Sequence, residues 1–214
     1  MSVIAPCILA ENPDDYKAIV ERYHPFAERV HVDISDGEFA PTFTVGAAQV
    51  WWPQEWTVDI HAMVARPSEH LETLLSLKPH MIIFHVEVDE DIVPVLEHIQ
   101  KFGIKAGIAL LKTTVPSTVA PAIQQADHVM IFSGELGKYG GTASLMQLEK
   151  VRLVRAIKPA VEIGWDGGVT PENAYNLAQG GVDVLNVGGT LAKAEDPQSV
   201  YATLVNEINK HGII

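Results

Sequence analysis

The feature that most constrains this chain is an alternation between eight short β-rich apolar runs and seven stretches of helical spacing. The apolar runs fall at 3–9, 29–34, 57–63, 81–85, 105–110, 128–132, 161–165 and 182–187. Each is short, is bounded by turn or polar residues, and most carry Val or Ile, as strands do. Helical spacing covers 13–23, 67–77, 91–102, 115–125, 144–157, 170–179 and 197–211. Start and stop signals support these spans. Asn12 precedes the first as a cap, Pro67 stands in a first turn, and Gly103 follows the third. Thr170-Pro171-Glu172 reads as cap, proline and acidic first turn. Only 35–55 lacks a clear long helix.

Strands alternating with helices predict a parallel sheet covered by helices. Two architectures compete, an open doubly wound sheet and a closed (β/α)8 TIM barrel. A dinucleotide-binding open sheet would place G-x-G-x-x-G after an early strand, but the first run here leads into Leu9-Ala10-Glu11-Asn12-Pro13. Eight repeats of about 26 residues suit a compact barrel. The expectation is one α/β domain over 1–214: a single (β/α)8 TIM barrel of eight parallel strands with outer helices.

Charge narrows the partners. Fifteen Lys and Arg stand against 27 Asp and Glu, a net of −12, which repels a polyphosphate backbone and argues against nucleic acid. A small phosphorylated ligand stays open, because backbone amides can hold phosphate without many lysines. The single cysteine, Cys7, allows no internal disulfide and no cysteine-based zinc cluster. With no signal-like or membrane-spanning run, the expected location is cytoplasmic.

In such barrels chemistry sits at the carboxyl ends of the strands. The second run carries His31 and Asp33, two apart and so on one face. The third offers His61, the fourth His85 and Glu87, the seventh Asp166. A lone His or Asp at a strand end is ordinarily a polar rim residue. Two His and two Asp converging on a barrel mouth make a site for a divalent ion, since charged groups aimed inward are costly unless paired or metal-bound. Zinc, iron, manganese and cobalt all suit that donor set. Glycine pairs follow the last three strands, at Gly140-Gly141, Gly167-Gly168 and Gly188-Gly189. One pair marks any tight turn; three in successive loops let backbone N–H groups approach a phosphate.

With these residues in view, the chain resembles the ribulose-phosphate 3-epimerases. The family pattern H-V-D-x-M-D-G-x-F-V-P is met by HVDISDGEFAP at 31–41, D-V-H-L-M by DIHAM at 59–63, and F-H-x-E by 84–87. WDGGV at 165–169 and GVDVLNVGGT at 181–190 continue the match in order. The resemblance implies one divalent ion held by His31, Asp33, His61 and Asp166. It also implies that Asp33 and Asp166 form the acid/base pair that inverts C3 of a ketose phosphate through a metal-stabilised enediolate. Cys7, Met63 and the three glycine pairs would contact the substrate, while His85 and Glu87, which match the family motif outside the four ligands, either support the ligands from behind or serve ordinary structural roles. The related phosphate decarboxylases carry D-x-K-x-x-D on the second strand. Here the register reads His31, Asp33, Asp36, without the lysine that serves as proton donor. A homo-oligomer is expected, as is common in the family.

The chain departs from the family where the substrate would lie. Cys7 replaces a serine, and Ser35 and Ser133 stand where methionines usually crowd the metal. The segment 133–143 is reworked around Lys138, a residue that either reaches a phosphate or stays solvated. The fifth run ends in ALLKTTVPS instead of the usual A-L-N-P-x-T-P. D-ribulose 5-phosphate is therefore the first expected substrate. A hexulose 6-phosphate of the allulose 6-phosphate type and a non-catalytic phosphosugar-binding role are the alternatives. Trp51, Trp52 and Trp56 suit either core packing or a subunit contact.

Overall fold

The computed structural model describes residues 2–210 and closes the eight strands into one parallel barrel in sequence order. The strands are β1 (Val3–Ile8), β2 (Arg29–Ser35), β3 (Thr57–Met63), β4 (Met81–His85), β5 (Lys105–Leu110), β6 (His128–Phe132), β7 (Glu162–Asp166) and β8 (Val184–Val187). The expected (β/α)8 barrel is therefore the observed fold, with strand ends displaced by one or two residues. One displacement matters, because Asp166 is the last residue of β7 and so is held by the ladder.

The alternation of side chains along each strand divides the apolar residues into two cores. Outward-facing Val30, Val32 and Ile34 of β2 join a large core shared with the helices. Inside the barrel, Met81, Ile83, Ala109, Met130 and Phe132 form a second cluster. Two strand glycines make room for side chains inside the barrel. A Cβ on Gly107 would stand 2.7 Å from Ile83 Cγ1, and one on Gly164 would stand 2.3 Å from His128 Nε2. Below this cluster the strand starts are plugged by charge. Arg29 donates to Asp59 at 2.7 Å and by two bonds to Glu162 at 2.9 and 3.0 Å, while His80 and His128 contact the same two carboxylates at 2.7 Å. The interior is thus apolar in the middle, closed by an ion-pair network at one end, and free for chemistry at the other.

The outer helices are α1 (Pro13–Tyr23), α2 (Pro67–Ser76), α3 (Ile92–Lys101), α4 (Ala120–Gln125), α5 (Glu149–Ile157), α6 (Pro171–Gln179), α7 (Gly189–Ala192) and α8 (Pro197–Ile208). Asn12 caps α1 by accepting from the Asp15 N–H at 2.9 Å. The Thr170 N–H donates to Asn173 Oδ1 at 2.9 Å at the start of α6. Two expected helices are shorter than their sequence spans. The span 115–125 opens with a 3₁₀ turn (Pro116–Val119), because Pro121 has no N–H to continue an α-helical ladder across that junction. The span 144–157 likewise begins as a 3₁₀ turn (Leu145–Leu148) before α5. The short α7 grows out of Gly188-Gly189, which sequence reading treats only as a loop. The end of the 197–211 span lies outside the described residues.

Between β2 and β3 only a 3₁₀ turn (Ala47–Gln49) forms, as the absence of helical spacing there predicts. The tryptophans divide by position. Trp56 is buried in the outer core, Trp52 packs against it, and Trp51 is exposed with its ring edge-on to Tyr16. No described helix is long and apolar enough to cross a membrane.

Candidate active site

The inward positions of β2 and β3 are in register, so Asp33 pairs with His61 across the ladder, and His31 lies two residues before Asp33 on the same face. β7 brings Asp166 in from the other side of the mouth. One ligand atom from each of His31, Asp33, His61 and Asp166 lies within 4.8 Å of all the others. His61 Nδ1 is 2.8 Å from Asp33 Oδ1 and 3.9 Å from Asp166 Oδ2. His31 Nε2 is 3.3 Å from Asp33 Oδ1 and 4.0 Å from Asp166 Oδ2. Neither nitrogen of the buried His31 ring makes a hydrogen bond.

Burial and mutual contact split the two aspartates. Burial raises Asp33, yet His31 and His61 outweigh it and hold this carboxyl well below the usual range. Burial also raises Asp166, the nearby Asp33 charge adds to it, and the group is pushed up to about 6. Burial works against a charged His31, but the Asp33 and Asp166 carboxylates raise it overall. Cys7, beside the cluster, is kept a neutral thiol by burial and by the same two carboxylates.

Above these groups opens a cavity of about 480 Å³. Asp33, Asp166, Cys7 and Met63 line it, as do Gly140, Gly141, Gly167, Gly168, Gly188 and Gly189. Every residue expected at a substrate contact therefore faces one space. Close approach requires two of the glycines. A Cβ on Gly167 would stand 2.1 Å from the Gly134 nitrogen, and one on Gly168 would stand 2.1 Å from the Ala143 nitrogen. His85 and Glu87 lie outside the cavity lining. His85 Nε2 is 2.9 Å from His61 Nε2, on the side away from the aspartates, and Glu87 follows at 3.3 Å. Lys138 lines the cavity, but its side chain is 61% exposed and its ammonium pairs with Glu135 at 3.6 Å.

Some of the site escapes sequence reading. The segment 133–144 crosses the mouth as a strap tied on both sides. On one side Tyr139 accepts from the Leu9 N–H at 2.7 Å and donates to the Cys7 carbonyl at 3.3 Å. On the other, the Thr42 hydroxyl donates to the Gly137 carbonyl at 2.8 Å. The partners of Tyr139 are about 130 residues distant, so no local pattern marks it. Ser35 and Ser133 also take up loop-holding work. Ser35 donates to the Thr42 carbonyl at 2.7 Å, and Ser133 Oγ accepts from the Ser144 N–H at 3.0 Å.

Comparison with known proteins agrees with this geometry. Solved structures similar in fold include a 3-hexulose-6-phosphate synthase from Salmonella typhimurium (TM-score 0.71, 12% identity, 98% of this chain and 100% of that one). A tryptophan synthase from Mycobacterium tuberculosis gives a TM-score of 0.70 at 12% identity over 98% and 93% of the two chains. Identities this low speak for the barrel alone. Sequence relatives are more specific. The ribulose-phosphate 3-epimerase of Mycobacterium leprae is 30% identical over 94% of this chain and 93% of its own length. That of Schizosaccharomyces pombe is 27% identical over 97% and 94%. Residues 3–192 match the ribulose-phosphate 3 epimerase family as a whole, and the chain belongs to that family.

Proposed function

We propose that this protein is an isomerase that inverts C3 of a ketose phosphate, with D-ribulose 5-phosphate and D-xylulose 5-phosphate as the first pair. The observation that carries the reading is that two carboxylates and two imidazoles converge on the floor of a cavity walled by glycine backbone. Relatives along the whole chain bear the ribulose-phosphate 3-epimerase name.

The cluster fits a divalent ion. Its donors are two imidazole nitrogens and two carboxylates, which balance a 2+ charge. His31 Nε2 also stands 3.3 Å from Asp33 Oδ1 without forming a hydrogen bond, an alignment that suits a shared cation. An ion held by His31, Asp33, His61 and Asp166 would supply positive charge against the oxyanion that develops as the C3 proton leaves.

The remaining chemistry belongs to the chain. Inversion requires one group to take the C3 proton and another to return one to the opposite face. Asp33 on β2 and Asp166 on β7 meet at the floor from two sides of the mouth. The electrostatics set them apart: Asp33 is held lower and suits accepting the proton, while Asp166, raised to about 6, is the more readily protonated of the two and suits returning one. In the reverse direction the roles exchange. The cavity's backbone N–H groups at 167–168 and 188–189, with Lys193 beside them, suit the phosphate. The Tyr139 strap covers the sugar and limits water. Cys7, neutral and adjacent to both aspartates, packs against the reacting end without competing for the proton.

Proton NMR of the protein with ribulose 5-phosphate in D2O tests the reading. Deuterium entering at C3 together with xylulose 5-phosphate supports it. Turnover of a hexulose 6-phosphate in place of the pentulose would move the substrate by one carbon, a difference felt at the strap. Binding without exchange for any ketose phosphate would replace the reading with phosphosugar binding alone.

A further inference from the structure

Behind the aspartate cluster runs a chain of contacts that ends in a second carboxylate. Asp33 Oδ1 meets His61 Nδ1 at 2.8 Å, His61 Nε2 meets His85 Nε2 at 2.9 Å, and His85 Nδ1 meets Glu87 Oε2 at 3.3 Å. Both rings are fully buried, and Phe39 and Phe132 pack on His85 at centroid distances of 4.7 and 5.5 Å. The rings therefore have little freedom to turn away from these partners. Glu87 is itself fixed. Its Oε1 accepts from the Leu111 N–H at 2.9 Å and from the Thr114 hydroxyl.

Proton counting constrains this chain. It has three links, each needing one hydrogen between its two heavy atoms. Its two ends, Asp33 and Glu87, are ionised carboxylates and only accept. With one hydrogen on each ring, two hydrogens serve three links, so one link is left without one. Glu87 decides which one. It draws the His85 hydrogen to Nδ1, leaving His85 Nε2 an acceptor. His61 must then carry its hydrogen on Nε2, and its bare Nδ1 faces Asp33. The short link is thus the one inside the His31–Asp33–His61–Asp166 cluster, where a cation and not a proton would join nitrogen to carboxylate.

We infer that Glu87, acting through His85, is a positioning residue that sets the His61 tautomer and reserves Nδ1 for a divalent ion. This inference rests on reading the cluster as a metal centre and adds the mechanism by which the chain prefers a cation there. The arrangement has a specific vulnerability. In Glu87→Gln the amide oxygen must stay with the Leu111 N–H, which can only donate, so the amide NH2 takes the place facing His85. That supplies the missing hydrogen. His85 would then protonate on Nε2 and donate to His61 Nε2, and His61 would protonate on Nδ1 and donate to Asp33. Every link would be filled without an ion.

The experiment is a two-bond 1H–15N correlation spectrum of ring-labelled protein, metal-free at about pH 8, above the ordinary imidazole range. It is paired with zinc affinity measured by chelator competition. Wild-type His85 is expected to carry its hydrogen on Nδ1. E87Q is expected to move it to Nε2 and to weaken zinc binding by roughly 10- to 100-fold, the range typical of such supporting residues. Wild-type His85 protonated on Nε2 overturns the inference, and this reading does not depend on how well the variant folds. An E87Q protein with the tautomer reversed and zinc affinity unchanged overturns it as well. Wild-type protein with the expected tautomer but no affinity for zinc, manganese or cobalt would overturn the metal reading itself, and the metal-free spectrum tells the two failures apart.

Discussion

Replacing Arg29 by Met tests how the closed end of the barrel is held. The Arg29 side chain is 16% exposed and joins Asp59, 1% exposed, to Glu162, 27% exposed. Removing one partner of a buried pair typically costs about 3–5 kcal/mol, because the other charge is left uncompensated. Here each carboxylate keeps a histidine at 2.7 Å, so the lower end, about 3 kcal/mol, applies. For a chain of this length 1 kcal/mol moves Tm by about 2–4 °C, so R29M should melt roughly 6–12 °C lower at neutral pH.

The pH dependence follows with its sign. Burial opposes the charge on Asp59 and Glu162, but bonds from His80, His128 and Arg29 hold both below the ordinary carboxylate range when folded. Groups lowered in this way contribute stability above their unfolded pKa, near 4, and lose it as pH falls through the folded value. R29M removes much of that lowering, so its Tm should fall less steeply than the wild type's between about pH 5 and 3. Thermal melts by circular dichroism across that range decide it. A neutral-pH shift under about 2 °C, or parallel acid profiles, would refute the reasoning.

Other expected outcomes are as direct. Asp33→Asn and Asp166→Asn should each lower C3 deuterium exchange by about 10²–10⁴-fold while melting cooperatively; exchange retained in both variants removes the two-carboxylate mechanism. Tyr139→Phe keeps the ring against Gly188 but loses the bonds to Leu9 and Cys7, each worth about 1 kcal/mol. Its KM should rise roughly 5- to 30-fold with kcat changed less, as steady-state kinetics would show. Gly167→Ala combines a φ of +106° with a Cβ 2.1 Å from the Gly134 nitrogen, so Tm should drop by several degrees and the strap should shift, readable as faster amide exchange over 134–141.

What was legible in the sequence follows from periodicity. Eight apolar runs with helical spacing between them specify the barrel, and the two-residue phase of His31 and Asp33 puts both on its inner face. Asp166 was identifiable because it precedes a glycine pair at the end of a strand. Distance in sequence hid the rest. Arg29, Asp59 and Glu162 look like ordinary strand-start charges until closure brings β2, β3 and β7 together. The His85–Glu87 spacing was visible, but its contact with His61 depends on the packing of β3 against β4. Tyr139 gave no signal because its partners lie on β1 and just beyond it, and the 3₁₀ turns before α4 and α5 reflect local choices that average spacing does not resolve.

The central claim is that the four-residue cluster holds a divalent ion with which Asp33 and Asp166 invert C3. Its most direct test is the D2O exchange spectrum of ribulose 5-phosphate with protein stripped of metal and then reloaded with zinc or manganese. Deuterium at C3 and xylulose 5-phosphate should be absent from the stripped protein and appear on reloading. Full epimerisation by the stripped protein, or none with any loaded metal and any ketose phosphate, would contradict the account.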